Sequence, residues 1–139
     1  MIARVLGVLA LAVLALAAAA CSDVSALRDE NVPGAAVTVH IVDSPEDVGE
    51  FDPSPAHVRV GQTVAFLNAS GNFHTVTFTS GPEAKSSAGI KPGGRFEVTF
   101  HHPGVYHYRC LYHQPMTGEI DVAAAPASPP PASATRHGG

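Results

Sequence analysis

The chain has 139 residues, and its 8 lysines and arginines stand against 12 aspartates and glutamates, which gives a net charge of −4 at pH 7. Proteins that bind nucleic acid neutralise phosphates with clustered Lys and Arg side chains. The sequence contains no such cluster, so its charge excludes a nucleic-acid-binding role. The two cysteines lie far apart, at positions 21 and 110, and each needs its own explanation.

The first segment, residues 1–20, has one positive charge, Arg4, followed by an apolar run that ends in small residues. This order is typical of a secretory signal peptide, although an uncleaved membrane-spanning helix is an alternative. The stretch AAAC at 18–21 also resembles the cleavage box of bacterial lipoproteins, in which the cysteine becomes the lipidated first residue. We therefore predict export to the periplasm or cell surface, with a lipid anchor on Cys21; plain cleavage without lipidation is the other alternative.

Three further segments are predicted to lie outside regular structure. Residues 21–34 are polar and are interpreted as a tether, and the Ala/Pro/Ser-rich tail at 123–139 is predicted to be disordered because it cannot bury a core. Acidic residues are concentrated in DSPEDVGEFD at 43–52. We interpret this acidic segment as a solvated loop, and a docking patch for a basic partner is the alternative.

The remaining residues, 35–122, are predicted to form one small β-domain. Short runs of alternating, β-branched and aromatic residues are separated by turn signals such as ASGN and KPGG. About seven or eight such strands in a domain of this size indicate an all-β fold, a Greek-key antiparallel β-sandwich. The predicted strands are 36–42, 57–60, 63–68, 74–80, 95–100, 105–110 and 118–122.

Alternation along the strand at 105–110 places Tyr106, Tyr108 and Cys110 on the inner face and His107 on the outer face. The same reasoning predicts a core that contains both tyrosines together with Phe66, Val76, Phe78, Phe96, Val98 and Phe100.

Three residues with metal-ligating side chains, Cys110, His113 and Met116, follow the end of that strand within one short stretch. A loop that turns back on itself can direct all three to one point. Thiolate and thioether sulfur favour copper(I), and imidazole suits both copper oxidation states. A fourth ligand must come from elsewhere. His74 is the candidate, because its strand start and the 111–116 loop can lie at the same end of a sandwich, although on its own it would be read as a structural histidine.

Two blocks of the sequence resemble the cupredoxin family of type-1 blue copper proteins, which includes plastocyanin, amicyanin and pseudoazurin. The first block is VRVGQTVAFLNASGNFHTVTF at 58–78, and the second is FHHPGVYHYRCLYHQPMTGEIDV at 100–122. The intervening IKPGGRFEVTF at 90–100 extends the resemblance over most of the domain. The C-x2-H-x2-M spacing of the second block is the short form of the ligand loop, as in amicyanin. Together the motifs are far more specific than any one of them.

The resemblance implies one copper per chain that changes between Cu(I) and Cu(II). It assigns His74, Cys110 and His113 to a trigonal plane and Met116 to a long axial contact. It also implies that His113 reaches the surface through an apolar patch on which redox proteins dock. The residues available for that patch are Phe73, Leu111, Tyr112 and Pro115, although Tyr112 facing the core is an alternative.

Two positions depart from the family pattern. The residue after the first histidine ligand is usually Asn, which ties to the cysteine loop, and here it is Thr75. A hydroxyl group can also bond that loop. Plastocyanin has an aromatic residue before the cysteine that serves a second electron route, and here Arg109 stands in its place. The resemblance therefore does not extend to that second route.

The predicted function is that of a monomeric, extracytoplasmic carrier of single electrons between redox proteins, and not of an enzyme. Copper enzymes of this superfamily need additional copper centres and additional domains. The alternative function is a copper-binding module for storage, delivery or resistance. Its sequence support is the adjacent pair His101 and His102, which could bind a second copper but which also suits an ordinary surface turn.

Overall fold

The computed structural model describes residues 31–46, 48–82 and 84–127. They form eight strands: β1 (Val37–Val42), β2 (Glu50–Asp52), β3 (Ala56–Arg59), β4 (Thr63–Asn68), β5 (Thr77–Ser80), β6 (Arg95–Thr99), β7 (Gly104–Arg109) and β8 (Thr117–Ala123). Within these ranges no helix is long and apolar enough to cross a membrane. The predicted signal peptide, Cys21, most of the tether and most of the tail lie outside the described residues.

The strands form two four-stranded sheets, with the orders β2-β1-β4-β6 and β3-β8-β7-β5. Only β1–β2 and β7–β8 are consecutive strands that pair within one sheet, and the other connections between described strands cross from one sheet to the other. This repeated crossing builds a two-layer sandwich with a shared core. The predicted all-β sandwich is therefore confirmed.

The pairing of the strands differs from the prediction in one respect. The pairs β1–β2, β4–β6, β5–β7 and β7–β8 are antiparallel, as predicted. The pairs β1–β4 and β3–β8 are parallel. Parallel pairing requires a long crossover between the two strands, and the excursions through the opposite sheet provide it. Both sheets are therefore mixed rather than wholly antiparallel.

The core between the sheets is aromatic at its centre. Tyr106, Tyr108, Phe66 and Phe100 are among its largest fully buried side chains. The predicted core residues Phe78 and Phe96 are only partly buried, and they pack against the same cluster. Aromatic side chains bury large areas and prefer edge-to-face contacts, and the Phe66 and Tyr108 rings meet in this way, with centroids 5.3 Å apart.

The acidic segment 43–52 is not a solvated loop over its whole length. Its last residues form β2, which pairs with β1. Phe51 is buried, and its ring packs edge-to-face on Tyr108 with centroids 4.8 Å apart. Glu50 and Asp52 on either side of it are exposed. The segment thus contains a short amphipathic strand despite its many charges, and the loop interpretation is wrong for residues 50–52.

The folded part also begins earlier than residue 35. Val32, which falls within the predicted tether, is buried in a small cluster with Ala65 and Leu67. Its amide donates to Thr38 Oγ1 over 2.8 Å. The last residues before β1 therefore pack against the outer side of β4 and cover it.

Candidate metal centre

The four predicted ligands come from two places in the chain that the fold brings together. Cys110 follows β7 directly, and His113 and Met116 lie in the connection to β8. His74 precedes β5, which begins at Thr77 rather than at residue 74 as predicted. An isolated bridge to Ile90 fixes the His74 backbone, with N–O distances of 3.1 Å and 2.7 Å in the two directions.

The loop from Cys110 to Met116 is closed by its own backbone. The Cys110 amide donates to the Met116 carbonyl over 3.0 Å, and the Met116 amide donates to the His113 carbonyl over 3.1 Å. These two bonds turn the chain back on itself. The short sequence spacing therefore becomes a spatial cluster, as the sequence predicts.

The donor atoms of Cys110, His74 and His113 lie within 4.8 Å of one another. Cys110 Sγ is 3.7 Å from His74 Nδ1 and 3.6 Å from His113 Nδ1. A first-row metal that bonds a thiolate at about 2.3 Å and an imidazole nitrogen at about 2.0–2.1 Å, at about 120°, separates the two donors by about 3.8 Å. The cluster thus has the spacing of a metal site without any rearrangement.

Three of the four donors of this centre are shielded from water. Cys110 and His74 have relative exposures of 0% and 1%, and Met116 has 4%. Cys110 is the free cysteine of the described residues. His113 is the partly exposed member of the group. The centre therefore has a closed side, formed by the other three residues, and a single edge towards solvent.

Burial gives His74 the charge state that a metal ligand needs. Desolvation, followed by the electrostatic effect of the neighbouring His113, lowers the pKa of His74 from 6.5 to about 4, against an opposing contribution from Asp43. The neutral imidazole is the form that binds metals. His74 consequently presents a lone pair at neutral pH.

The surroundings of the cysteine sulfur confirm the expectation for Thr75. The Thr75 amide donates to Cys110 Sγ over 3.4 Å, and the Leu111 amide donates to Thr75 Oγ1 over 2.8 Å. Thr75 therefore ties the first histidine segment to the cysteine loop from both its backbone and its side chain. Hydrogen bonds around a ligating sulfur hold the ligand in place and tune the metal.

Gly49, which sequence reasoning missed, forms part of the wall of the centre. It has a φ of +77°, and an added Cβ would lie 2.8 Å from His74 Cε1 and 3.3 Å from Met116 Sδ. A side chain here would collide with the His74 ring and would make a tight contact with Met116 Sδ. The acidic composition of its segment gave no signal of this role, because the contact joins residues that are distant in sequence.

Three exposed apolar side chains lie near His113 in space or in sequence and form the apolar patch of this centre. Phe73, Leu111 and Tyr112 have relative exposures of 57%, 49% and 58%. Tyr112 therefore faces solvent, and the alternative that it faces the core is wrong. Together with Asn72, the Phe73, Tyr112 and His113 side chains line a shallow hollow. Exposed apolar patches of this kind mark interaction sites on soluble proteins.

The other histidines singled out in the sequence lie away from the centre. His101 and His102 are exposed in the β6–β7 turn, and His107 faces outward, as predicted, opposite Glu119. Among the described residues, His74, Cys110 and His113 are the group of three that could hold a metal ion.

Comparisons with known proteins agree with this geometry. A family model described as copper binding proteins, plastocyanin/azurin family, matches residues 37–123. Amicyanin from Paracoccus denitrificans is 30% identical over 76 residues, which are 52% of this chain and 58% of that protein. The chain therefore spans less than two thirds of the length of that relative.

Solved structures of cupredoxins are also similar to this chain. A purple cupredoxin from Nitrosopumilus maritimus has a TM-score of 0.58 at 26% identity, over 63% of this chain and 99% of that chain. A proline-to-glycine variant of amicyanin, in its reduced Cu(I) form at pH 4, has a TM-score of 0.56 at 29% identity, over 68% of this chain and 87% of that chain. The family model covers more than half of the sequence, and the buried sulfur and nitrogen donors suit copper. The chain belongs to the cupredoxins, the plastocyanin/azurin family of copper-binding proteins.

Proposed function

We propose that this protein carries single electrons between redox proteins outside the cytoplasm, with one copper that would be held by His74, Cys110, His113 and Met116. The observation that carries the proposal is the pairing of a buried thiol–imidazole cluster with one partly exposed histidine in an apolar patch. Copper supplies a one-electron couple between Cu(I) and Cu(II) when it is bound in such a site.

The protein contributes a fixed arrangement of donors. The His74 backbone bonds Ile90 in both directions, the Cys110 amide bonds the Met116 carbonyl, and both side chains are buried. A site that is already formed needs little rearrangement when its charge changes by one electron, and this favours fast transfer. Exclusion of water from Cys110 also protects the thiolate from oxidation.

The apolar patch around His113 is the proposed docking surface for redox partners. Phe73 and Tyr112 line a hollow with His113, the one ligand that approaches the surface, and the exposed Leu111 directly precedes Tyr112. A partner that covers these side chains would come within a short distance of the His113 ring. Apolar contact without large charged groups permits binding that is brief, which suits a carrier that must dissociate after each transfer.

The extracytoplasmic location rests on the sequence. The apolar segment 1–20 and the AAAC stretch at 18–21 support export and a lipid on Cys21. Mass spectrometry of the protein purified from membranes tests both points. A diacylglyceryl group on an N-terminal Cys21 is expected, whereas an intact Met1 or an unmodified Cys21 would contradict lipidation.

The experiment that tests the carrier function uses the full-length chain. We expect one equivalent of copper(II) to give an intense visible band and a narrow hyperfine splitting, and we expect reversible reduction at an electrode. Cys110→Ala should abolish the band. His102→Ala is the matched control, because this exposed histidine lies outside the cluster, and the variant should leave the spectrum unchanged.

Copper stoichiometry and copper release, measured on the same preparation, distinguish an electron carrier from a copper-storage module. More than one copper per chain, or rapid loss of all copper to a chelator without reversible electrochemistry, would overturn the carrier function in favour of storage or delivery. Loss of the band in His102→Ala but not in Cys110→Ala would overturn the proposed ligand set itself.

A further inference from the structure

A chain of buried hydrogen bonds leads from Asn68 through Ser70 to the outer nitrogen of His74. Asn68 and Ser70 are fully buried, at 0% relative exposure, and His74 is at 1%. Ser70 Oγ lies 2.9 Å from His74 Nε2. The opposite ring nitrogen, Nδ1, is the one that faces Cys110 Sγ. In the neutral ring, a proton on Nε2 leaves Nδ1 with a lone pair that can bind a metal, whereas a proton on Nδ1 removes that lone pair.

The orientation of the Asn68 amide is fixed by two backbone carbonyls. Its Nδ2 donates to the Asn72 carbonyl over 2.8 Å and to the Ile90 carbonyl over 2.9 Å. Carbonyl oxygens only accept, so exchanging the amide oxygen and nitrogen would lose both bonds. Asn68 Oδ1 must consequently point towards Ser70.

The direction of the Ser70 hydroxyl follows. Asn68 Oδ1 accepts the Ser70 amide over 3.0 Å and lies 2.7 Å from Ser70 Oγ. An amide oxygen only accepts, so the hydroxyl proton goes to Oδ1. The more distant Asn72 carbonyl, at 3.3 Å, is the weaker competitor for that proton. Ser70 Oγ is left with lone pairs only, and one of them faces His74.

The last bond in the chain must therefore be donated by the histidine. A neutral imidazole carries one proton, and here it is placed on Nε2, which leaves Nδ1 as the acceptor beside Cys110. We propose that Asn68 and Ser70 are positioning residues that fix the tautomer and ring orientation of His74 so that Nδ1 is presented to copper. This inference deepens the proposed function and rests on it for the identity of the metal.

The tautomer is measured first, in the metal-free full-length protein. Long-range proton–nitrogen NMR of the histidine rings distinguishes a protonated nitrogen from one with a lone pair. We expect His74 to show a protonated Nε2 and an unprotonated Nδ1 at neutral pH. The opposite tautomer, or averaged nitrogen shifts, would overturn the proposal, and this measurement needs no variant that must fold.

The second measurement is copper release from Ser70→Ala. Loss of a hydrogen bond to a metal-ligating histidine typically weakens metal affinity by about 10–100-fold, and we expect a loss of this size in competition with a copper(I) chelator. Ser87→Ala is the matched control. Its hydroxyl accepts the Val76 amide over 2.8 Å, close to the site but without contact with a ligand, so copper affinity should stay within about twofold of wild type.

The two proposals fail in different ways. If Ser70→Ala holds copper as tightly as the wild-type protein, or if Ser87→Ala weakens it equally, the positioning role is wrong while the carrier function stands. If the wild-type protein binds no copper, the carrier function is wrong, whereas the His74 tautomer in the metal-free protein still tests the hydrogen-bond chain.

Discussion

The two segments that meet at the metal centre differ in how they are held. The segment 68–75 is buried at Asn68, Ser70, His74 and Thr75, and its polar side chains bond one another and the backbone. The segment 110–116 anchors Cys110 and Met116 in the core but exposes most of the residues between them. The segment 68–75 therefore holds His74 in place, and the segment 110–116 gives His113 access to solvent.

This division has a physical reason. A buried polar group is stable only when its hydrogen bonds are satisfied, so the interior segment requires a complete network. The exposed segment has water to satisfy its polar groups and is free to present apolar side chains to a partner. Changes to the buried residues of segment 68–75 and to Gly49 should therefore affect folding and metal binding, whereas changes on segment 110–116 and at the exposed Phe73 should affect docking.

The largest expected effect is at the wall behind the buried ligands. Gly49→Ala should lower the free energy of unfolding by about 2–5 kcal/mol, since a positive φ and an overpacked Cβ both add cost. Gly61→Ala is the control, because Gly61 has a φ of +88° with nothing within 4 Å of the added Cβ. Urea unfolding of the metal-free protein measures both variants. If both variants lose the same free energy of unfolding, the contact of the new Cβ with His74 and Met116 has no effect on stability.

Acid should destabilise the metal-free protein through His74. Its pKa is lowered to about 4 in the folded state, so the unfolded chain binds this proton first. Stability should fall as the pH drops from 6.5 to about 4, by about 3 kcal/mol from this group, and should fall no further from it below pH 4. Urea unfolding at pH 7 and pH 4 should show a smaller difference for His74→Asn than for wild type. The exposed His101→Asn should behave as wild type, and an unchanged pH dependence in His74→Asn would contradict the assignment.

Removing the hydrogen bond between Thr75 and the Leu111 amide should lower the free energy of unfolding by a smaller amount. Thr75→Val keeps the shape but deprives the Leu111 amide of its acceptor, which costs about 1–3 kcal/mol. Copper release should also quicken, because Cys110 is held through this contact. Thr99→Val is the control. It removes the hydrogen bond between the hydroxyl groups of Thr99 on β6 and Thr63 on β4, which lies outside the metal centre. Equal copper release from both variants would refute a specific role for Thr75.

The exposed segment should show the smallest change in stability. Leu111→Asp should alter the free energy of unfolding by no more than about 0.5 kcal/mol and leave the copper spectrum intact. Electron self-exchange between two copies should slow by about tenfold, equivalent to about 1.4 kcal/mol, because the charges repel where the patches meet. Val105→Asp is the control, since Val105 is 44% exposed on β7 outside the patch. Equal self-exchange in both variants would exclude docking through Leu111.

Much of the metal centre was accessible from the sequence because it depends on short spacing. Cys110, His113 and Met116 lie within one turn of a loop, and the strand before them alternates inward and outward as predicted. The hydroxyl of Thr75 also bonds the cysteine loop as expected. His74 lies 36 positions before Cys110; the expected sandwich made it a candidate for the fourth ligand, and the family resemblance supported that assignment.

The sequence by itself determined the all-β class, most strand positions, the inward face of β7 and the soft donors of the loop. These features follow from local periodicity and from the chemistry of single side chains. The tertiary structure alone decided the parallel pairs β1–β4 and β3–β8, the strand within the acidic segment, the packing of Val32, the place of Gly49 and the bond from His74 to Ser70. Each of these depends on which strands and turns become neighbours. That choice is made by burial of the whole core, which no local stretch of sequence encodes.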